Sequence, residues 1–243
     1  QEQWSASPWN PVNNINYQFD QTRLPEVSPA YAKDFHPFFN SVPGVLNDTV
    51  LLACQENFVK KILSLSLNYP NVLYCITNEI QHAQSPLWSS YWARFVKEQA
   101  RVSGKEVQVT EMFWDTDMQD EQHLHSLDHP ETYSFFEISQ NSVKNGDVHW
   151  EKIQYIREAL KSDPRPINSV KIYGKTGEVT WPGTDEQAVD RFWRNVLGGC
   201  ASSRFHRNET GKYGLGWSEL SIHSVEVLDR VLQEFDPWKM EIG

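Results

Sequence analysis

Clustered positive charge is what this chain most clearly lacks. It carries 22 Lys and Arg against 32 Asp and Glu, a formal charge of 22 − 32 = −10, with no basic tail or patch. Polyanions are gripped by grouped Lys and Arg, so this balance argues against nucleic acid and an anionic membrane surface as partners. No apolar run approaches the roughly 18 residues that a membrane-spanning helix needs. Cysteine is sparse: Cys54, Cys75 and Cys200 lie far apart, show no metal-ligand spacing and say little about redox compartment. Cys75, inside an apolar stretch, is expected to be a buried small residue. No Gly-rich phosphate loop stands at any strand-to-helix turn, which removes the usual nucleotide signature, and no cofactor is expected. The first residues show no charged n-region and no apolar h-region, so no signal peptide is expected in them. One could have been removed, and a secreted or periplasmic setting is favoured without being assigned.

Aromatic residues, by contrast, are plentiful. There are 10 Trp in 243 residues, and Trp114, Trp181 and Trp217 fall after strands or in Gly/Pro-rich stretches. Flat rings in such places suit the faces of sugars, with core filling as the alternative for any single one. Length fits one α/β domain or two small ones.

Residues 1–47 are rich in Pro, Asn and aromatics without a sustained period, and read as a long loop region. From Asp48 to Leu67, Leu51, Leu52, Phe58, Val59, Ile62, Leu63 and Leu67 recur at helical steps, with Asn47 or Asp48 as cap. Strands are expected at Asn71–Glu79, Lys105–Met112, Tyr133–Ser139, Pro166–Tyr173 and Ala201–His206. Helices are expected at Leu87–Ser103, Asp147–Lys161, Asp185–Leu197 and Ser221–Phe235. Strand–helix alternation of this kind means parallel strands with helices outside. Five such units are too few to close an eight-stranded barrel. The expected fold is therefore α/β, a TIM-barrel-like partial barrel of about five parallel β/α units in a single domain spanning 1–243. Its open edges make a homodimer the expected assembly.

The stretch NVLYCITNE, Asn71–Glu79, organises the reading. A short apolar strand ending in an acid is how α/β barrels present catalytic groups, at the carboxyl ends of their strands. Alternation would set Glu79 with Thr77, Cys75 and Leu73 on the inner side, and Tyr74 and Ile76 against helices. The same logic turns Glu137 inward between Phe136 and Ile138. It turns Ser169, Lys171 and Tyr173 inward while Val170 and Ile172 face helices, and Ser202, Arg204 and His206 inward. The second strand stays ambiguous: either Glu111 with Val107 and Val109, or Gln108, Thr110 and Met112, face inward. Charges gathered at one mouth must pair or do chemistry. An ion-pair network of Glu79 with Lys171 and Glu137 with Arg204 is the purely structural alternative. His123, His125 and His129 have no regular ligand spacing, so no metal site is expected, while His82 follows the first strand closely enough to reach the mouth.

Taken in chain order, SPWNPVNNINY, NVLYCITNE, SFFEISQN, RPINSVKIYG, SRFHR and GLGWSE resemble segments of clan-A-type (β/α)8-barrel glycoside hydrolases of poorly characterised bacterial families. The resemblance covers nearly the whole chain, from the segment before the fourth strand to the helix before Asp236, and so only the last five of the eight strands. It implies a glycoside hydrolase acting on a poly- or oligosaccharide, with Asn78 and Glu79 ending the fourth strand and Glu79 as acid/base. The pattern departs at the seventh strand, where the family's nucleophile stands and this chain has only Ser169, Lys171 and Tyr173. Two carboxylates are needed for ordinary hydrolysis. Glu137 is the first candidate for the second, and Glu111 the next. Trp114, Trp181 and Trp217 would stack on sugar rings, with Asn78, Lys171, Tyr173, Arg204 and His206 binding hydroxyls or a charged substituent. A uronate-directed lyase and a non-catalytic sugar-binding barrel remnant are the alternatives.

Overall fold

The computed structural model describes residues 2–27, 35–81, 84–174, 181, 183–206 and 216–236. The chain forms two compact units, Gln1–Trp114 with Glu121–Ser134, and Asp115–Asp120 with Phe135–Gly243. The architecture is mixed α/β, with one parallel sheet of two strands and one of three.

In the first unit the elements are α1 (Glu2–Ser5), α2 (Thr49–Ser66), β1 (Leu73–Cys75), α3 (Pro86–Val102), β2 (Gln108–Thr110) and α4 (Glu121–Asp128). The stretch before α2 is irregular but anchored, with short 3-10 turns at Pro11–Asn13, Phe19–Gln21 and Pro37–Asn40. Asp48 joins it to the helix: Oδ1 accepts the Leu51 N–H as N-cap, and Oδ2 accepts the Arg23 N–H at 2.7 Å. Tyr17 and Leu24 pack with Leu51 against Trp4, Trp9 and Phe38. Pro86 follows the Ser85 cap of α3, whose Trp88, Trp92, Val96 and Ala100 are buried as the periodicity predicts.

β1 differs from expectation. Tyr74 and Ile76 do pack toward α2 and α3, and the Tyr74 hydroxyl lies 2.7 Å from Ser66 Oγ. The other side is open: Leu73 is 59 % exposed, and Cys75 is exposed rather than buried. The strand is therefore covered on one face only. Its pairing also breaks and resumes, because Cys75 lies opposite Thr110 while Ile80 bridges Phe113. Five residues on one side span three on the other. Glu79, at φ 57°, makes the turn that absorbs the surplus. A left-handed glutamate costs on the order of 1 kcal/mol, since its Cβ crowds the following carbonyl.

The second unit runs β3 (Phe136–Glu137), α5 (Gly146–Ala159), β4 (Ile167–Ile172), α6 (Asp185–Leu197), β5 (Ser202–Phe205) and α7 (Glu219–Glu234), with sheet order β3-β4-β5. Ile172, Phe205, Ala188 and Phe192 form the core between sheet and α6, and the Phe192 and Phe205 rings stack at 4.8 Å. Thr184 and Gln187 cap α6 reciprocally, as the run from Asp185 requires.

β4 carries a bulge. Ser169 pairs with Ser203 and Ile172 with Phe205, so three steps on β4 match two on β5. Strict alternation fails there. Ser203 donates to the Phe192 carbonyl of α6, and Ser169 beside it shares that helix-facing side. The expected inward place of Ser169 is thus corrected: Asn168 holds it, and the bulge brings Lys171 and Tyr173 back to the same face.

α6 ends at Gly198, where the chain passes close to α5. A Cβ there would lie 2.7 Å from both the Arg194 carbonyl oxygen and Ile153 Cγ2. A backbone oxygen cannot rotate away. Gly198→Ala is expected to destabilise the second unit by about 1–3 kcal/mol, measured as a lower urea midpoint with an unchanged m-value.

Candidate functional site

Glu137 ends β3 and is 4 % exposed. Its Oε1 accepts the Ser139 N–H at 2.7 Å, and Oε2 accepts the Asn168 side-chain amide. The Asn168 carbonyl oxygen in turn accepts the Ser202 hydroxyl. Glu137, Asn168 and Ser202 are register partners on β3, β4 and β5, so one polar row crosses the sheet. Burial pushes the Glu137 carboxyl up to about 7. Ser139, Asn168 and the Lys171 charge pull the other way.

Further along the same face, at the carboxyl ends of β4 and β5, rings and cations meet. Tyr173 contacts the His206 ring at 5.2 Å and the Trp181 ring at 5.3 Å, both edge to face. Arg204 Nη2 lies 3.4 Å from His206 Nδ1. A guanidinium has no acceptor, so Nδ1 accepts and Nε2 carries the ring proton. Behind them Arg191, 0 % exposed, donates to the Tyr173 carbonyl and to Asn145 Oδ1, tying the end of β4 to the start of α5. Burial lowers the Arg191 pKa to about 10, which still leaves it charged. Lys171, Tyr173, Arg204, His206 and Trp181 are therefore brought together around this strand end, with Glu137 near Lys171. Trp217, 71 % exposed, instead lies in the segment leading into α7.

The first unit places its candidates differently. Glu79 is half-buried and Asn78 exposed, at the turn where β1 pairing breaks. Trp114 is 47 % exposed and donates its N–H to the Ile80 carbonyl. Glu111 resolves the ambiguity of its strand. Val109 packs on Leu63, Ala93 and Val96, and Glu111 shares that helix-covered side, 3 % exposed. It accepts the Ser126 hydroxyl of α4 at 2.6 Å, with Ser89 and Tyr133 also hydrogen-bonding to it. Glu111 therefore belongs to the packing of α3 and α4 on β2, and not to an inner face.

The Tyr133 hydroxyl also lies 3.1 Å from Ser90 Oγ, which lies 3.1 Å from His125 Nε2. His123 and His125 lie in the short helix α4, and His129 directly follows it. His123 packs edge-on to Phe113, while the His125 ring lies 4.2 Å from that of His129. Among the described residues, no group of three or more His, Cys, Asp or Glu could hold a metal ion. His82 lies outside the described residues.

Sequence reasoning missed Asn168 and Ser139. Alternation places Asn168 on the helix side, and only the bulge reverses that. No known family, curated protein or solved structure matches this chain.

Burial raises Glu111, like Glu137, from the ordinary value near 4.5 to about 7. A carboxyl whose pKa is raised on folding keeps its proton while the unfolded chain loses one. Its contribution is full below about pH 4.5 and is lost as pH rises through about 7. Buried His149, lowered to about 4, acts oppositely and destabilises as pH falls below about 6.5. Glu111→Gln is expected to remove one carboxyl's share of the slope between about pH 5 and 7, on the order of 3 kcal/mol. The difference between wild-type and variant urea midpoints across that range reads it, with His149 common to both.

Proposed function

We propose that this chain is a carbohydrate-active hydrolase of the partial-barrel kind, working by carboxylate acid/base catalysis. One observation carries the reading. Glu137, an acid that burial keeps protonated up to about pH 7, ends a parallel strand on the sheet face that also carries Lys171, Tyr173, Arg204 and His206. A general acid is most effective when its pKa lies near the working pH. The carboxyl ends of parallel strands are also where α/β enzymes hold substrate. Trp181 and Tyr173 supply flat rings for a sugar there. The alternation of strands and helices supports the barrel reading. Glu79 keeps the acid/base role that the resemblance to clan-A hydrolases implies, and its half-buried carboxylate at a strained turn fits a residue held for use.

A second reading, sugar binding without turnover, is favoured by the engagement of both Glu137 oxygens with internal donors. It is favoured also by the lack of any carboxylate in β4, Ile167–Ile172. Reducing-end release from a panel of oligosaccharides separates the two. Under the enzyme reading, Glu137→Gln and Glu79→Gln each lower turnover by about 10²–10⁴ with unchanged circular dichroism. Wild-type activity falls as pH rises through about 7. Tight binding with no product from any member of the panel would establish the second reading instead. Unchanged turnover in either variant removes that residue from catalysis.

A further inference from the structure

The strand ends of the second unit select for charge as well as for a flat ring. The chain as a whole is acidic, at −10, yet this face collects cations. Lys171 is buried beside Glu137, Arg204 stands exposed at the end of β5, and Arg191 lies beneath the Tyr173 carbonyl. Arg204 is also held in place, since its guanidinium meets His206 Nδ1 and the His206 ring is braced against Tyr173. Trp181, 43 % exposed, continues the row of rings on the far side of Tyr173. A planar guanidinium matches a carboxylate through two parallel hydrogen bonds, a geometry that a neutral hydroxyl does not use. An indole next to it suits the apolar face of the same pyranose.

We propose that Arg204, His206, Tyr173 and Trp181 form a subsite for an acidic sugar, a uronate residue whose carboxylate meets Arg204 while its ring lies on Trp181. The assignment rests on the sugar-binding reading of these strand ends. Lys171 and Arg191 add positive potential beneath the subsite, which raises the local concentration of an anionic chain in an otherwise repelling protein. His206, donating from Nε2, supplies a hydrogen bond to a ring hydroxyl or to the second carboxylate oxygen.

Calorimetric titration of the full chain with hexagalacturonide, its fully methyl-esterified form and neutral cellohexaose tests this. The ester keeps the ring and removes the charge. The acid is expected to bind about tenfold or more tightly than its ester, as a charge-assisted bidentate pair would give. That preference should shrink as salt is raised from 50 to 500 mM. Arg204→Gln should abolish the preference, and Arg204→Lys should restore only part of it, because an ammonium keeps the charge without the fork. Circular dichroism and the urea midpoint show that each variant is folded. Trp181→Ala should weaken acid and ester alike. Equal affinity for acid and ester overturns the uronate subsite and leaves sugar binding standing. An acid preference that survives Arg204→Gln overturns it too, by placing recognition elsewhere. Binding of none of the three sugars overturns both the subsite and the carbohydrate reading on which it rests.

Discussion

The row of hydrogen bonds from Glu137 through Asn168 to Ser202 is the constraint on which the second unit depends. Three short parallel strands have little ladder to hold their register, and parallel pairing is the weaker kind per residue. A side-chain row that crosses all three strands supplies that register directly. Each member satisfies the next: the acid accepts from the amide, and the amide's oxygen accepts from the hydroxyl. Removing the middle residue would leave a buried carboxyl and a hydroxyl without their partner, and that costs more than the bonds themselves contribute. Once Asn168 is fixed opposite Ser202, the surplus residue of β4 must fall between Ser169 and Ile172. The bulge then decides which side chains meet His206. The arrangement of Lys171 and Tyr173 follows from the row beneath them.

Arg191 completes that logic from behind. A fully buried guanidinium is tolerable only when its donors are used and its charge is compensated. Here it holds the Tyr173 carbonyl and the side chain of Asn145, which precedes α5. The end of β4 is thereby stitched to the helix layer at the point where the strand gives way to the Tyr173 cluster. Burial above all keeps nearby His149 neutral, and the charges of Arg191 and Arg194 add to that effect. The same side chain thus braces the strand end and adds to the charge that disfavours a protonated His149.

What the sequence makes legible follows from which interactions are local. Helices α2, α3 and α6 sit within a residue or two of their expected bounds because caps and 3.6-residue periodicity are written in adjacent residues. That Glu137, Lys171, Tyr173, Arg204 and His206 share one sheet face is legible for a similar reason, as period-two alternation is local. It fails wherever a strand is irregular. Asn168 and Ser169 exchange faces because of the bulge, and Cys75 is exposed because, among the described residues, no layer covers that side of β1. Neither a bulge nor the absence of a covering layer leaves a mark in neighbouring residues. The side chosen by Glu111 is of this kind too: it turns on Ser126, fifteen residues later.

Glu111 and Glu137 show why a raised pKa is not in itself a site. Burial lifts both carboxyls to about 7, by the same mechanism. Glu111, however, is enclosed by Ser89, Ser126 and Tyr133 between a strand and two helices, and its raised pKa follows from that burial. Glu137 stands at the carboxyl end of its strand, near Lys171, on a face that also carries rings and cations. The difference lies in what shares the face, and therefore in strand parity and the bulge that corrects it. Chemistry at neutral pH requires the raised acid and an adjoining place for substrate together. In the second unit the raised acid shares a sheet face with Lys171, Tyr173, Arg204 and His206, whereas Glu111 is enclosed, and for that reason the proposal rests on Glu137.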